Sequence, residues 1–375
     1  MGLRTAGLPD FPWDSLVPFA QRARAHPEGI VDLSVGTPVD PTPAIVQEAL
    51  AQAADAPGYP ATHGTPALRE AVVSWFARRR GVPDLDPAGV LPTVGSKELV
   101  AWLPSLLGLG EGDVVVHPEC AYPTYDVGAR LAGATPLPAD HVSAWADREG
   151  VRLVWVNSPS NPTGAVLGVP ELREVVAQAR RAGAVVASDE CYALLAWDEP
   201  WAGQGVPSIL DPRVTDGDVT GLLAVHSLSK QSNLAGYRAA FVAGDPALVG
   251  ALLELRKHAG MIVPAPVQHA MTVALGDDAH VDAQRERYRR RRSLLRDGLE
   301  SAGYVVDGAP AGLYLWVRAP GRGQDCWQTV ADLADLGILV APGAFYGPAA
   351  ARHVRVALTA TDDDVARAAA RLSGA

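Results

Sequence analysis

Three cysteines, Cys120, Cys191 and Cys326, are too few and too far apart for a disulfide framework or a zinc knuckle, and no metal is called for. No apolar run approaches the roughly 18 residues of a membrane span. The segment from Met1 to Asp14 carries Pro9, Asp10 and Pro12 where a signal peptide would be apolar. Positive charge is in deficit, with 32 Lys and Arg against 42 Asp and Glu and a formal net charge of −10, which argues against nucleic-acid or anionic-membrane partners. Internal repeats and low-complexity tracts are lacking as well. These absences leave a cytoplasmic enzyme acting on small molecules, and 375 residues suffice for one large domain and a smaller one.

What is present centres on the stretch from His226 to Arg238. The apolar run 221–225 before it and the run 239–244 after it read as buried strands, so Lys230 is held at a strand end. A lone lysine is ordinarily a solvated surface group. This one is flanked by Ser227 and Ser229 and followed by Arg238, a set suited to a Schiff base with an aldehyde cofactor whose phosphate takes Ser and Arg as ligands.

Around that centre the chain alternates strand and helix. A strand is predicted over 29–36, a helix over 43–53, a Gly- and Pro-rich loop with Tyr59 over 57–64, and a helix over 65–80 whose charges lie opposite its apolar face. In the segment 90–107 a short strand meets Gly95-Ser96-Lys97 and then a helix, whose free N–H groups and macrodipole favour a phosphate. Apolar runs at 114–116, 153–156 and 184–192, with a helix over 170–182, argue an α/β fold with a mostly parallel sheet covered on both faces and active residues at strand ends. From about Ala259 the character changes. A long helix over 284–298 carries seven arginines between Arg285 and Arg296, expected to form a solvated face, and short strands follow. The resulting division is an N-terminal arm with part of the small domain over 1–43, a large domain over 44–258 and a small α+β domain over 259–375.

Several strand-end groups have chemistry in common. Asp189 closes an apolar strand, where an ionised carboxylate is costly unless paired; a protonated pyridine nitrogen would satisfy it. Asn161, in an Asn-Pro-Thr-Gly turn, can donate to an aromatic oxygen, and an aromatic such as Tyr122 or Tyr125 at a strand end can cover a planar ring.

Taken in order, Gly95-Ser96-Lys97, Tyr122-Pro123-x-Tyr125, Asn161-Pro162-Thr163-Gly164, Asp189-Glu190-x-Tyr192, Ser227-x-Ser229-Lys230, Gly236-x-Arg238 and Arg355-Val356-Ala357 resemble the class I and II aminotransferases of fold type I, which use pyridoxal 5′-phosphate. Phe11-Pro12-Trp13-Asp14, the stretches 31–41 and 256–261, and Val340-Ala341-Pro342-Gly343 are most similar to the actinobacterial N-succinyldiaminopimelate aminotransferases of lysine biosynthesis.

The resemblance implies that Lys230 bonds the cofactor and moves the proton, that Asp189 keeps the ring nitrogen protonated, and that Asn161 and Tyr192 bond the ring hydroxyl oxygen while Tyr122 stacks on the ring. It implies Ser96, Lys97, Ser227 and Arg238 at the phosphate, joined by Tyr59 from the other subunit of a homodimer. Arg355 and Gly36 would take the substrate α-carboxylate, with glutamate as donor and N-succinyl-2-amino-6-oxopimelate as acceptor. No obvious second arginine reads a distal carboxylate; His63 and Lys97 are candidates only. Another amino acid such as aspartate, or a lyase on the same fold, is the alternative. Arg355 argues against decarboxylation, because a charged fork holds the carboxylate in place.

Overall fold

Every side chain of Leu222–Ser227 and Ala239–Gly244 is buried, as continuously apolar runs require when helices cover both faces of a sheet. The computed structural model, which describes residues 7–9, 12–319 and 325–374, sets these runs within a seven-stranded sheet. Its order is Val90–Val94, Ala239–Gly244, Leu222–Ser227, Val185–Asp189, Val151–Asn157, Val114–His117, Thr135–Pro138. Neighbours are parallel except the two pairs made by Ala239–Gly244, so that strand alone runs against the rest. The fold is α/β with a mostly parallel central sheet. The edge strand Thr135–Pro138 was not expected from sequence, because Pro136 and Pro138 cannot donate to a ladder; an edge tolerates them.

Local chemistry sets the helix limits. Val169–Ala182 has Pro170 in its first turn, buries Leu172, Val176 and Ala179 along one stripe, and stops at Gly183, whose φ of +66° suits a residue without a side chain. Asp245 caps Pro246–Ala259 by accepting from the amides of Ala247 and Leu248.

A second core joins both ends of the chain. Leu16, Ala20 and Ala23 of the N-terminal segment pack with Leu315, Val330, Leu333, Val356 and Val365. Tyr314–Arg318 pairs antiparallel with Val354–Ala357 in a four-stranded sheet, and Val31–Asp32 pairs with Ile338–Leu339. Beyond the expected boundary at residue 258, the helix Ala265–Gly276 buries Ala270, Met271, Ala274 and Leu275 in the core of the large sheet. Phe11, part of one of the resembling stretches, lies outside the described residues.

The structure departs from the sequence expectations in three further places. The strand expected over 29–36 is reduced to Val31–Asp32, where the partner strand is equally short. The helix expected over 65–80 is α-helical over Pro66–Trp75 and widens to a π-turn over Phe76–Arg80. That turn delivers Arg80 inward, where its Nη2 donates to Glu190 Oε2 at 2.8 Å and its Nη1 to Val206 O. Both members of the pair are buried, and removing one partner of such a pair typically costs about 3–5 kcal/mol.

The third correction concerns the long helix, which spans Ala279–Ser301 and whose arginines are not all solvated. Arg291 and Arg292 are buried; Arg291 binds Asp40 and Asp362, and Arg292 binds Asp198. They continue the stripe Val281, Gln284, Tyr288, Leu295, Leu299, so two of the helix's cations fasten it to Asp40 of the N-terminal segment, to Asp362 at the start of the helix Asp362–Ser373 and to Asp198.

Candidate active site

Sheet direction brings the site together. The parallel strands end at Val94, Asn157, Asp189 and Ser227 on one edge of the sheet, and the reversed strand begins there at Ala239. Arg238 therefore reaches the same edge from the opposite chain direction. The edge opens into a cavity of about 460 Å³ that collects Gly36, Ser96, Lys97, Tyr122, Asn161, Asp189, Tyr192, Ser227, Lys230, Arg238 and Arg355. Tyr59 is fully exposed and is not among the lining residues.

Lys230 lies in the one-turn helix Leu228–Gln231, which Ser227 caps by accepting from the Ser229 amide at 3.1 Å. Its Nζ donates to Gly36 O, and burial lowers its pKa, so the amine gives up its proton more readily than a solvated lysine. His226 lies against Trp75 in a tilted ring contact and bonds Gln231 and Glu190 O; burial takes its pKa down to about 4, leaving it neutral.

At the neighbouring strand end, Asp189 is buried without a cationic partner among the described residues. It accepts from Tyr125 Oη at 2.9 Å and from the Cys191 amide at 3.2 Å, and burial raises its pKa. A cation arriving at this carboxylate would be strongly held.

The opposite side is an anion cradle. The helix Ser96–Leu106 has Gly95 at its cap position with no side chain satisfying its first amides. A Cβ on Gly95 would fall 2.1 Å from Arg238 Nη2, so glycine is what lets the guanidinium approach that helix end. Glu98, the acid of the first turn, binds Arg256 at 2.8 Å and leaves Lys97 and Arg238 without a competing carboxylate there.

From the four-stranded sheet comes Arg355, buried and with no carboxylate partner among the described residues. Its Nη1 donates to Asn161 Oδ1 at 3.0 Å and its Nη2 to Ser34 O at 2.7 Å, while Nε has no partner. A buried guanidinium in that state is a receptor for a carboxylate.

Tyr314, Thr37 and Asn157 line the cavity without having been singled out in the sequence. Of the two tyrosines expected as ring covers, Tyr122 lines the cavity, whereas Tyr125 is fully buried outside the lining and donates its hydroxyl to Asp189. Asn157 accepts the Asn161 amide at 2.7 Å and so shapes the turn that presents Asn161. Tyr314 alternates with core-facing Leu313 and Leu315, a signal that marks its face but not what that face meets.

A family model described as aminotransferase class I and II matches residues 28–372. The chain belongs to that family and is a pyridoxal-phosphate-dependent aminotransferase. It is 58% identical over 366 residues to the 4-dedimethylamino-4-oxo-anhydrotetracycline transaminase OxyQ of Streptomyces rimosus, spanning 98% of this chain and 99% of that one. A probable aminotransferase of Mycobacterium tuberculosis is 60% identical over 370 residues, 98% of this chain and 86% of the other. Among solved structures, a probable N-succinyldiaminopimelate aminotransferase from Thermus thermophilus matches with a TM-score of 0.85 at 28% identity, over 96% of this chain and 99% of that one.

The residues present fit the cofactor. The cradle made possible by Gly95 suits a phosphate, the buried Asp189 without a cationic partner suits a protonated ring nitrogen, and an amine of lowered pKa lines the same cavity. No helix among the described residues is long and apolar enough to cross a membrane.

Proposed function

We propose that this aminotransferase moves the amino group of glutamate to N-succinyl-2-amino-6-oxopimelate, a reaction of diaminopimelate and lysine biosynthesis. The observation that carries the α-carboxylate part of this reading is the buried, carboxylate-free Arg355 facing the cavity that holds Lys230. With one N–H on each terminal nitrogen committed to Asn161 and Ser34, the Nε–H and a further N–H on each terminal nitrogen remain for a two-point grip.

In this reading the Lys230 amine would hold the cofactor and would carry the proton taken from the substrate Cα. Asp189 keeps the ring nitrogen protonated. Tyr192 and the Asn161 amide nitrogen, whose oxygen is already turned to Arg355, donate to the ring hydroxyl oxygen, and Tyr122 covers the ring face. Ser96, Lys97, Ser227 and Arg238 hold the phosphate, and Gly36 adds a backbone contact beside the substrate carboxylate. When bound, pyridoxal phosphate supplies the sink for the electron pair left as Cα–H breaks. Tyr59, fully exposed in the single chain, completes the phosphate site of the other subunit in a homodimer. Sedimentation equilibrium of the loaded enzyme should show two chains; a fully active monomer would remove Tyr59 from the site.

Support for the acceptor comes from the resembling stretch 31–41, which contains Gly36, and from the name of the Thermus thermophilus neighbour. A second reading has its own support: the 58% identity to OxyQ favours a ketone acceptor of the kind that protein's name describes. Steady-state comparison of N-succinyl-2-amino-6-oxopimelate with its unsuccinylated analogue, oxaloacetate, pyruvate and a 4-oxo-anhydrotetracycline separates them. The succinylated keto acid should have the highest kcat/KM by at least about 10-fold, the discrimination expected of a few matched contacts. A plain keto acid or the polycyclic ketone matching it would overturn the acceptor and leave the transaminase standing.

A further inference from the structure

Tyr314 meets three separate parts of the site. Its Oη lies 3.2 Å from Tyr192 Oη, its ring lies under the Arg355 guanidinium with 3.9 Å from the guanidinium carbon to the ring centroid, and its hydroxyl occupies the space where a Cβ on Gly36 would stand, 2.2 Å away. Strand register brings this about. Trp316 is paired with Arg355, so Tyr314, two residues along the same face, is the diagonal neighbour of Arg355. Tyr346 lies on Arg355 as well, at 5.0 Å, so the guanidinium is held between aromatic faces and offers its edge to the cavity.

The hydroxyl has one proton and few places to put it. Tyr192 is its sole hydrogen-bond partner among the described residues, and the nearby carbonyl of Gly36 accepts from Lys230. If Tyr192 donated to Tyr314, the Tyr192 proton would be committed to that bond and turned away from a ligand in the cavity. With Tyr314 donating, the Tyr192 proton is free to point at a ligand oxygen, and the accepted bond makes Tyr192 a stronger donor.

On the transaminase reading above, we propose that Tyr314 is a further positioning residue of the reaction: its hydroxyl aims the Tyr192 proton into the cavity, and its ring fixes the edge that Arg355 presents to the substrate carboxylate. The two roles reside in different atoms of one side chain and separate by substitution. Tyr314→Phe removes only the hydroxyl. Tyr314→Leu also removes the ring face.

The test is a pH titration of the visible absorbance of the cofactor-loaded enzyme, alongside donor kinetics. The other ionisable groups facing the tyrosine pair, Asp189, Cys191, Lys230, Arg355, Tyr122, Tyr288 and Tyr346, are unchanged in every variant. Tyr314→Phe should retain cofactor at full stoichiometry and shift the absorbance transition upward by about 0.5–1 pH unit, because an anionic ring oxygen loses part of its donor strength. KM for glutamate should stay within about twofold, since the ring remains on Arg355. In a Tyr192→Phe background the same substitution should shift nothing further. Tyr314→Leu should additionally raise KM for glutamate about 3–10-fold. A transition unmoved in Tyr314→Phe, or moved equally without the Tyr192 hydroxyl, overturns the proposal; failure of wild-type enzyme to react with amino donors would instead overturn the transaminase reading. Should Tyr314→Leu not fold, the two Phe variants still decide the hydroxyl, and KM of Tyr314→Trp, which keeps an aromatic face, decides the ring: a rise above about 10-fold counts against it.

Discussion

Lys230→Ala is expected to fold, to bind pyridoxal phosphate without a covalent link, and to lose turnover by about 10²–10⁴-fold from the missing proton transfer alone. The physical reason is that no other amine is placed to substitute. Of the remaining cations lining the cavity, Arg238 and Arg355 carry guanidiniums, not amines, and Lys97 sits at the helix end, 6.0 Å from the centre of the Tyr122 ring. Folding should survive because the Lys230 side chain makes one hydrogen bond among the described residues, to Gly36 O, while the turn itself is kept by Ser227 and by the bonds of His226 and Gln231. Borohydride reduction of wild type followed by peptide mapping should mark Lys230. A mark on another lysine, or full activity in Lys230→Ala, would refute the assignment.

Asp189→Asn is expected to keep the shape of the strand end and to lower the chemical step by about 10²–10³-fold, the usual cost of removing a preorganised charge partner. An amide cannot hold a ring nitrogen in its protonated form, so the ring accepts electrons poorly. Without cofactor the same substitution should act in the other direction. Burial raises the folded pKa of Asp189 above its ordinary 3.8, so between those values the folded chain binds more protons than the unfolded one. Stability is therefore lost as pH rises from 3.8 through the folded value. The uncharged variant escapes that loss. Cofactor-free Asp189→Asn should thus melt above cofactor-free wild type at pH 7, with the gap narrowing as pH falls towards 4. A wild type that is the more stable at pH 7 would mean that Asp189 is already satisfied without a cationic ring.

The edge of the sheet was legible in the sequence because its strands are continuously apolar and its polar residues come at their ends. Lys230, Asp189, Asn161 and Arg238 stand out on that basis, and the cavity collects all of them. What stayed hidden depends on register or on distant partners. Tyr314 is an ordinary strand tyrosine until Trp316 is known to pair with Arg355. Arg80 reads as one of three surface arginines until the π-turn sends it to Glu190, 110 residues away. In the long helix a dense charge count masks a regular buried stripe: positions 281, 284, 288, 291 and 295 keep helical spacing, but an arginine fills one of them and needs Asp40 and Asp362 to be there. Charge composition sees the arginines; only the fold sees the acids that meet them.

The most direct measurement of the central claim is a half-reaction. Enzyme loaded with pyridoxal phosphate is mixed with glutamate and no acceptor, and both absorbance and products are followed. The account predicts loss of the aldehyde-form absorbance with one 2-oxoglutarate released per site, recovery of that absorbance when an acceptor keto acid is added, and neither step in Lys230→Ala. Release of carbon dioxide or ammonia in place of 2-oxoglutarate, or an absorbance that no amino donor changes, would contradict it.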